Sequence, residues 1–360
     1  MKRKRLFSIF LMLYCLLLMP AAALPVRAEE EPDPGHAGTT VSAAPVRIAF
    51  IDSGISTKHI DSSRVLQGVN YIFSGSDTED RIGHGTATAG LVLGAEDQGV
   101  TGICPDALAV PLLVVDTFPS GAIKNGGPDA LCKAIYDAVD RYGCRVVNIS
   151  LCTTEDSAEL QAAVDHAEAN GAILIAAVGN DGEDGKTYYP AAYETVVAVG
   201  SADGGAVASF SQSGADILAE GVNLLTASNR NASSPIMVSG TSYSCALVSG
   251  ICARMLTKEP NLTPEAVRKA LFSQAEDLLD PGFDQRSGWG VISAYQGNLI
   301  LAQADPVTGA LPEAVKTGDT MPKGLWIALA AALIGMAGTM MVGTSQKKTK
   351  TKIKPRRKVR

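Results

Sequence analysis

Three stretches of the chain each set one reactive side chain beside glycines at what reads as an element boundary. Arg47-Ile48-Ala49-Phe50-Ile51-Asp52 is an apolar strand ending in a carboxylate and followed by Ser53-Gly54. Gly83-His84-Gly85-Thr86 puts an imidazole at a helix start, with small residues as far as Gly90 that permit close packing. Ser239-Gly240-Thr241-Ser242 puts a hydroxyl at another helix start. Nucleophilic acyl transfer needs a hydroxyl, a base to take its proton and a third group to orient that base. Singly, each residue has a plainer reading: a strand-end Asp caps a helix, a lone His is structural, and Gly-Thr-Ser is a turn. Together they run Asp, His, Ser, one of the chain orders in which such triads occur. A lipase or esterase would need Gly-x-Ser-x-Gly with its His last; Ser242 lacks that frame and His84 precedes it.

These side chains need a scaffold, and the pattern around them supplies one. Val46 to Ile51, Ala109 to Val115, Val146 to Leu151, Ile173 to Val178 and Val196 to Val199 are apolar almost throughout, as parallel strands buried on both faces are. Helical patterns lie between them. Pro128 to Tyr142 opens on Pro128 and Asp129 and stops at Gly143, and Ser157 to Asn170 stops at Gly171. Two more helices start at Ser242 and Thr263. The alternation predicts an α/β fold, a doubly wound, mostly parallel sheet flanked by helices, with its site at the carboxyl ends of the strands. Composition agrees: 46% apolar and 19% charged residues are globular proportions.

Over Val46 to Ala302 the sequence resembles the subtilisin-like serine proteases. The resemblance rests on the three boxes above and on Gly102-Ile103-Cys104-Pro105, Asn148-Ile149-Ser150, Gly179-Asn180, Tyr189-Pro190 and Ala208-Ser209-Phe210-Ser211. It implies a serine endopeptidase in which Ser242 attacks the scissile carbonyl, His84 relays the proton and Asp52 fixes the imidazole tautomer. It also implies that Asn180 donates its amide to the oxyanion together with the Ser242 N–H. Substrate backbone would lie as a strand between Lys124 to Gly127, with Gly126 and Gly127 allowing close approach, and Ser150, Leu151 and Cys152. Ala177, Gly179 and Tyr188 would also bind substrate, with Tyr188 near the floor of the first specificity pocket and shortening it. A rival reading keeps the scaffold as a catalytically weak peptide binder, but no triad residue is lost.

The sequence departs from the family pattern in several places. Ala246 stands where Pro is usual after the serine, and Cys152 where Gly is usual on the pocket wall. Only 17 residues separate Ala28 from Val46, which leaves no room for a folded pro-domain. No cofactor is implied. Relatives often bind calcium near Gly94 to Gly99, where Glu96 and Asp97 offer oxygen ligands, but one short acidic loop is usually only solvated. Beyond Cys15, six cysteines remain; with no CxxC spacing they read as buried free thiols, with Cys245 and Cys252 facing the core from one helix.

The ends of the chain read as addresses. Residues 1–28 have a basic start, an apolar run from Leu6 to Leu18 and a small-residue end at Val26-Arg27-Ala28, the form of a secretory signal. A linker (29–45) leads into the catalytic domain (46–302), and a second linker (303–324) follows it. Leu325 to Val342 carries no charge over 18 residues, about 27 Å of helix, enough to span a bilayer core. We assign 325–343 as a transmembrane helix and 344–360, with nine Lys and Arg from Lys347 to Arg360, as a cytoplasmic tail. Ala314 to Asp319 resembles a weakened sortase signal, which makes wall linkage the alternative to permanent anchoring in a Gram-positive envelope. All 37 acidic residues lie between Glu29 and Asp319, so the exported part carries about −20, against a nucleic-acid partner and for a soluble exported domain. A polypeptide substrate and the membrane are the partners this reading implies.

Overall fold

The computed structural model describes residues 44–293, except 74, 184 and 231–233. The signal, most of the first linker, the second linker, the apolar span and the basic tail lie outside the described residues. So does the sortase-like segment.

In chain order the strands are β1 (Arg47–Asp52), β2 (Val69–Asn70), β3 (Leu108–Leu113), β4 (Val115–Thr117), β5 (Ile123–Asn125), β6 (Val146–Ile149), β7 (Ile173–Ala177), β8 (Val197–Asp203), β9 (Ala206–Val207), β10 (Ile217–Glu220), β11 (Leu224–Thr226) and β12 (Ile236–Val238). The helices are α1 (His84–Leu93), α2 (Gly127–Tyr136), α3 (Ala158–Ala169), α4 (Thr241–Lys258) and α5 (Pro264–Ser273). The main sheet runs β10-β8-β7-β6-β1-β3-β2, with β9 antiparallel on β8 and the pairs along the path parallel.

Because side chains alternate across a strand, β1 divides itself between two cores. Ile48 and Phe50 join a cluster with Val92 of α1 and Val248, Ile251 and Met255 of α4. Ala49 and Ile51 join a cluster on the opposite face with Ala134 and Ile135 of α2 and Leu160 and Val164 of α3. This double burial is why the strands read as unbroken apolar runs. From β1 the chain goes one way to β3 and later returns to β6 on the other side, so the order reverses between β1 and β6. A crevice at their carboxyl ends is the expected place for a site, and Asp52 and Ser150 stand at those two ends.

The caps follow local chemistry. Ser157 accepts from the Leu160 N–H at the start of α3, and Thr263 accepts from the Ala266 N–H ahead of Pro264 in α5. The helix expected over Pro128 to Tyr142 begins one residue earlier, and its end winds into a π-helical turn over Asp137–Arg141. The strand expected at Val196 to Val199 runs from Val197 to Asp203, because residues 199–202 pair with β10 and Ala202 and Asp203 pair with β9. The segment expected to run from Ala109 to Val115 as one strand is divided at Val114, after which β4 turns to pair with β5.

Candidate active site

Asp52 closes β1 and is fully buried. Its Oδ1 accepts from the Ser53 N–H at 2.7 Å and pairs with His84 Nδ1 at 2.7 Å, while Thr88 Oγ1 lies 3.3 Å from Oδ2. That carboxylate contact fixes the imidazole proton on Nδ1 and leaves Nε2 as the basic nitrogen. His84 is the first residue of α1, and Gly85 lets the helix start pack onto the end of β1. A Cβ at Gly85 would stand 2.1 Å from the Gly54 carbonyl oxygen. Burial by itself would lower the His84 pKa, but the charge and hydrogen bond of Asp52 outweigh it, with Asp80 adding charge. The net shift is upward from the ordinary histidine value.

Ser242 lies in the first turn of α4, which packs against the sheet and α1. Its hydroxyl donates to the Ser150 carbonyl at 3.1 Å, and the Ser150 hydroxyl donates back to the Ser242 carbonyl at 3.0 Å. Buried Asn148 completes the seam, with its amide donating to Ser150 Oγ and its Oδ1 accepting from Ser249 and Cys245. No hydrogen bond joins Ser242 to His84 among the described residues; the ring of the next residue, Tyr243, has its centroid 5.6 Å from that of the imidazole. Such contacts are often long or unmade before substrate binds.

The N-cap of α4 is Gly240, which has no side chain to offer, and the capping group comes from Asn180 instead. Asn180 Oδ1 accepts from the Thr241 N–H at 2.8 Å and from the Thr241 hydroxyl at 3.0 Å. An N–H can only donate, so the amide oxygen must face Thr241 and its NH₂ must face away. The Ser242 N–H belongs to the helix's first turn and has no intrahelical acceptor. The helix start thus leaves donors beside the hydroxyl.

Around this centre, Gly126 is the N-cap of α2 and gives its N–H to the Val114 carbonyl. The extended part of the Lys124–Gly127 segment therefore ends at Asn125, since Gly127 already belongs to α2. On the facing side, Ser150, Leu151 and Cys152 follow β6, and Thr153 pairs with Tyr189. Ala177 ends β7 and leads to Gly179. The Tyr188 ring lies against Gly179, where a Cβ would come within 2.6 Å of it, and its hydroxyl donates to Asp181 at 2.8 Å. Tyr188 also borders a cavity of about 260 Å³ with Val178, Ala191 and Gln285. Among the six cysteines, all free, Cys245 and Cys252 are fully buried as expected, whereas Cys152 is exposed and Cys132 half-buried.

The Glu96–Gln98 turn, within the loop where relatives often bind calcium, is a short 3-10 helix whose Asp97 carboxylate is taken by His59. Among the described residues no cluster of three or more His, Cys, Asp or Glu could hold a metal. His59 Nδ1 meets Asp97 at 2.6 Å and Nε2 meets the Arg230 carbonyl at 2.7 Å. Both partners accept, so both ring nitrogens carry protons and His59 is an imidazolium. The Asp97 hydrogen bond raises its pKa against burial, with the Arg230 carbonyl helping and Lys58 opposing. A raised folded-state pKa contributes stability that is whole below the unfolded value and is lost as pH climbs through the folded one. The Tm deficit of His59→Gln is therefore expected to be largest on the acid side and to shrink above neutrality. A deficit independent of pH in parallel melts would refute the charged assignment.

Sequence reasoning missed Thr241, which orients Asn180, and Asp80, whose carboxylate gathers the residues around His84. Asp80 lies four residues before His84, and a capping residue ahead of a helix was the signal available.

The subtilase family model matches residues 44–290, and the chain belongs to that family. It is 33% identical to subtilisin DY of Bacillus licheniformis over 262 residues, 71% of this chain and 90% of that protein. It is also 33% identical to the minor extracellular protease Epr of Bacillus subtilis over 323 residues, 88% of this chain and 47% of Epr. Among solved structures, the S41 psychrophilic protease aligns at 28% identity with a TM-score of 0.61, covering 69% of this chain and 91% of the other. A lanthipeptide protease aligns at 26% identity with a TM-score of 0.61, covering 71% and 87%. The chain is a subtilisin-like serine endopeptidase.

Proposed function

We propose that this endopeptidase works at the outer face of a bacterial membrane, where it processes an exported peptide or protein, with Asp52, His84 and Ser242 as its triad and Asn180 as oxyanion donor. The observation that carries the residue assignment is the 2.7 Å His84 Nδ1 to Asp52 contact, which leaves Nε2 as the basic nitrogen. As substrate enters, the Ser242 hydroxyl leaves the Ser150 carbonyl and turns to Nε2. Oγ attacks the scissile carbonyl and its proton passes to His84. The tetrahedral oxyanion takes the Asn180 NH₂ and the Ser242 N–H. Collapse breaks the C–N bond, His84 protonates the departing amine, and a water deprotonated by His84 then releases the acyl group. No cofactor enters these steps.

The cleft supports a processing role. Exposed Cys152 after β6 and Tyr188 against Gly179 would narrow the first pocket, and one structural neighbour is titled a lanthipeptide protease. Tyr188→Gly is expected to move the preferred residue before the cleaved bond towards larger side chains, since it removes the phenol that would shorten the pocket. Identical cleavage profiles from one peptide library would remove Tyr188 from the pocket. The location rests on the apolar span and basic tail. Fractionating cells that express the full chain tests it: the protease should sediment with membranes and be released when residues 323–360 are deleted. A soluble full chain would overturn the anchoring.

A further inference from the structure

His84 is the first residue of α1, and this position works against its proposed role. A helix N-terminus carries positive partial charge from unpaired N–H groups, which disfavours an imidazolium there. Proton transfer from Ser242 must create that imidazolium. The N-cap, Gly83, has no side chain with which to offset the field.

Asp80 supplies what Gly83 lacks. Its carboxylate is only 2% exposed and accepts five hydrogen bonds. Oδ1 takes the Ser53 hydroxyl at 2.9 Å, the Ile82 N–H at 2.9 Å and the Gly83 N–H at 2.7 Å. Oδ2 takes the Thr86 N–H at 2.8 Å and the Thr86 hydroxyl at 2.7 Å. Ser53 Oγ in turn accepts from the Gly85 N–H at 2.9 Å. Residues 82, 83 and 86 are thus tied to Asp80 directly and residue 85 through Ser53, which also adjoins Asp52. Every partner donates, which holds the carboxylate in its anionic form, although burial and the nearby Asp52 push its pKa upward. The ionisable groups it faces are Asp52, His84 and Tyr243.

We propose that Asp80 is a positioning residue for the protease reaction: it clamps the start of α1 to the end of β1, so that His84 meets Asp52, and it offsets the helix field that opposes the imidazolium. The proposal rests on His84 being the general base. A buried cap alone would explain the hydrogen bonds, but it predicts effects on stability only.

The experiment compares kcat, KM and pH profiles for the wild type, Asp80→Asn, Ser53→Ala and His84→Ala, each corrected for the folded fraction. Asp80→Asn keeps the shape and removes the charge, so His84 deprotonates more readily. The acid limb of kcat/KM should move to lower pH while kcat falls by on the order of tenfold or more, the cost of a misplaced base, at little changed KM. Ser53→Ala retains the charge and cuts the tie to Gly85, so kcat should fall with the acid limb unmoved. If Asp80→Asn does not fold, Ser53→Ala decides by itself: wild-type kcat overturns the clamp. A folded Asp80→Asn with the wild-type acid limb and kcat, changed only in Tm, overturns the whole proposal while an inactive His84→Ala leaves the triad standing. Retained turnover in His84→Ala removes the base assignment and the Asp80 inference with it.

Discussion

Ser242→Ala is expected to lose turnover by about 10⁶-fold and to lose all covalent labelling by a fluorophosphonate probe, while its melting temperature stays close to that of the wild type. The magnitude comes from the corresponding substitution in subtilisin rather than from this geometry. The separation of activity from stability does follow from the geometry. Among the described residues the Ser242 hydroxyl makes a single hydrogen bond, to the Ser150 carbonyl at 3.1 Å, and losing one such bond costs about 1 kcal/mol. Alanine offsets part of that cost as the better helix former in the first turn of α4. The seam from β6 to α4 remains, since Ser150 Oγ to the Ser242 carbonyl and Asn148 to Ser249 do not involve the deleted oxygen. A folded Ser242→Ala protein that still cleaves peptides would sink the nucleophile assignment, and one that unfolds would show that the seam depends on the hydroxyl.

The strands that carry the site were legible because burial on both faces leaves a continuous apolar signature, as in Ile48 to Ile51 and Ile173 to Ala177. Helix starts were legible where the cap is local, as at Ser157 and Thr263. Neither helix of the candidate site is capped by the residue just ahead of it: α1 takes Asp80, with Ser53, and α4 takes Asn180 from far back in the chain. A pattern search that looks one residue ahead of the helix finds only Gly83 and Gly240. Short strands were illegible for another reason. Ile217 to Glu220 is too brief to show a period, and it is placed by pairing with β8 and by the Gly290 and Val291 segment that folds back on it. Chain order and box identity therefore pointed to Asp52, His84 and Ser242, whereas the partners of Asn180 and Ser242 became visible only when residues 61 to 92 positions apart were brought together.

Asn180→Ala is expected to lower kcat by about 10² to 10³ while leaving KM nearly unchanged, a magnitude taken from the oxyanion-hole asparagine of subtilisin. The direction follows from the Thr241 contacts. Because the Thr241 N–H and hydroxyl both meet Oδ1, the NH₂ is held facing away from Thr241 before substrate arrives, so no reorganisation is needed as negative charge develops. Charge that appears only in the transition state is stabilised without tighter substrate binding, which is why kcat moves and KM does not. The alanine variant also uncaps α4, so its loss alone would mix positioning with chemistry. Asn180→Asp separates them. Its carboxylate can still accept from Thr241 and cap the helix, but it offers an acceptor where a donor is required and adds a negative charge beside the oxyanion. It should therefore be at least as slow as the alanine variant while melting at a higher temperature. Wild-type kcat in a well-folded Asn180→Asp protein would show that Asn180 serves the helix and not the oxyanion, and a change confined to KM would assign it to substrate binding.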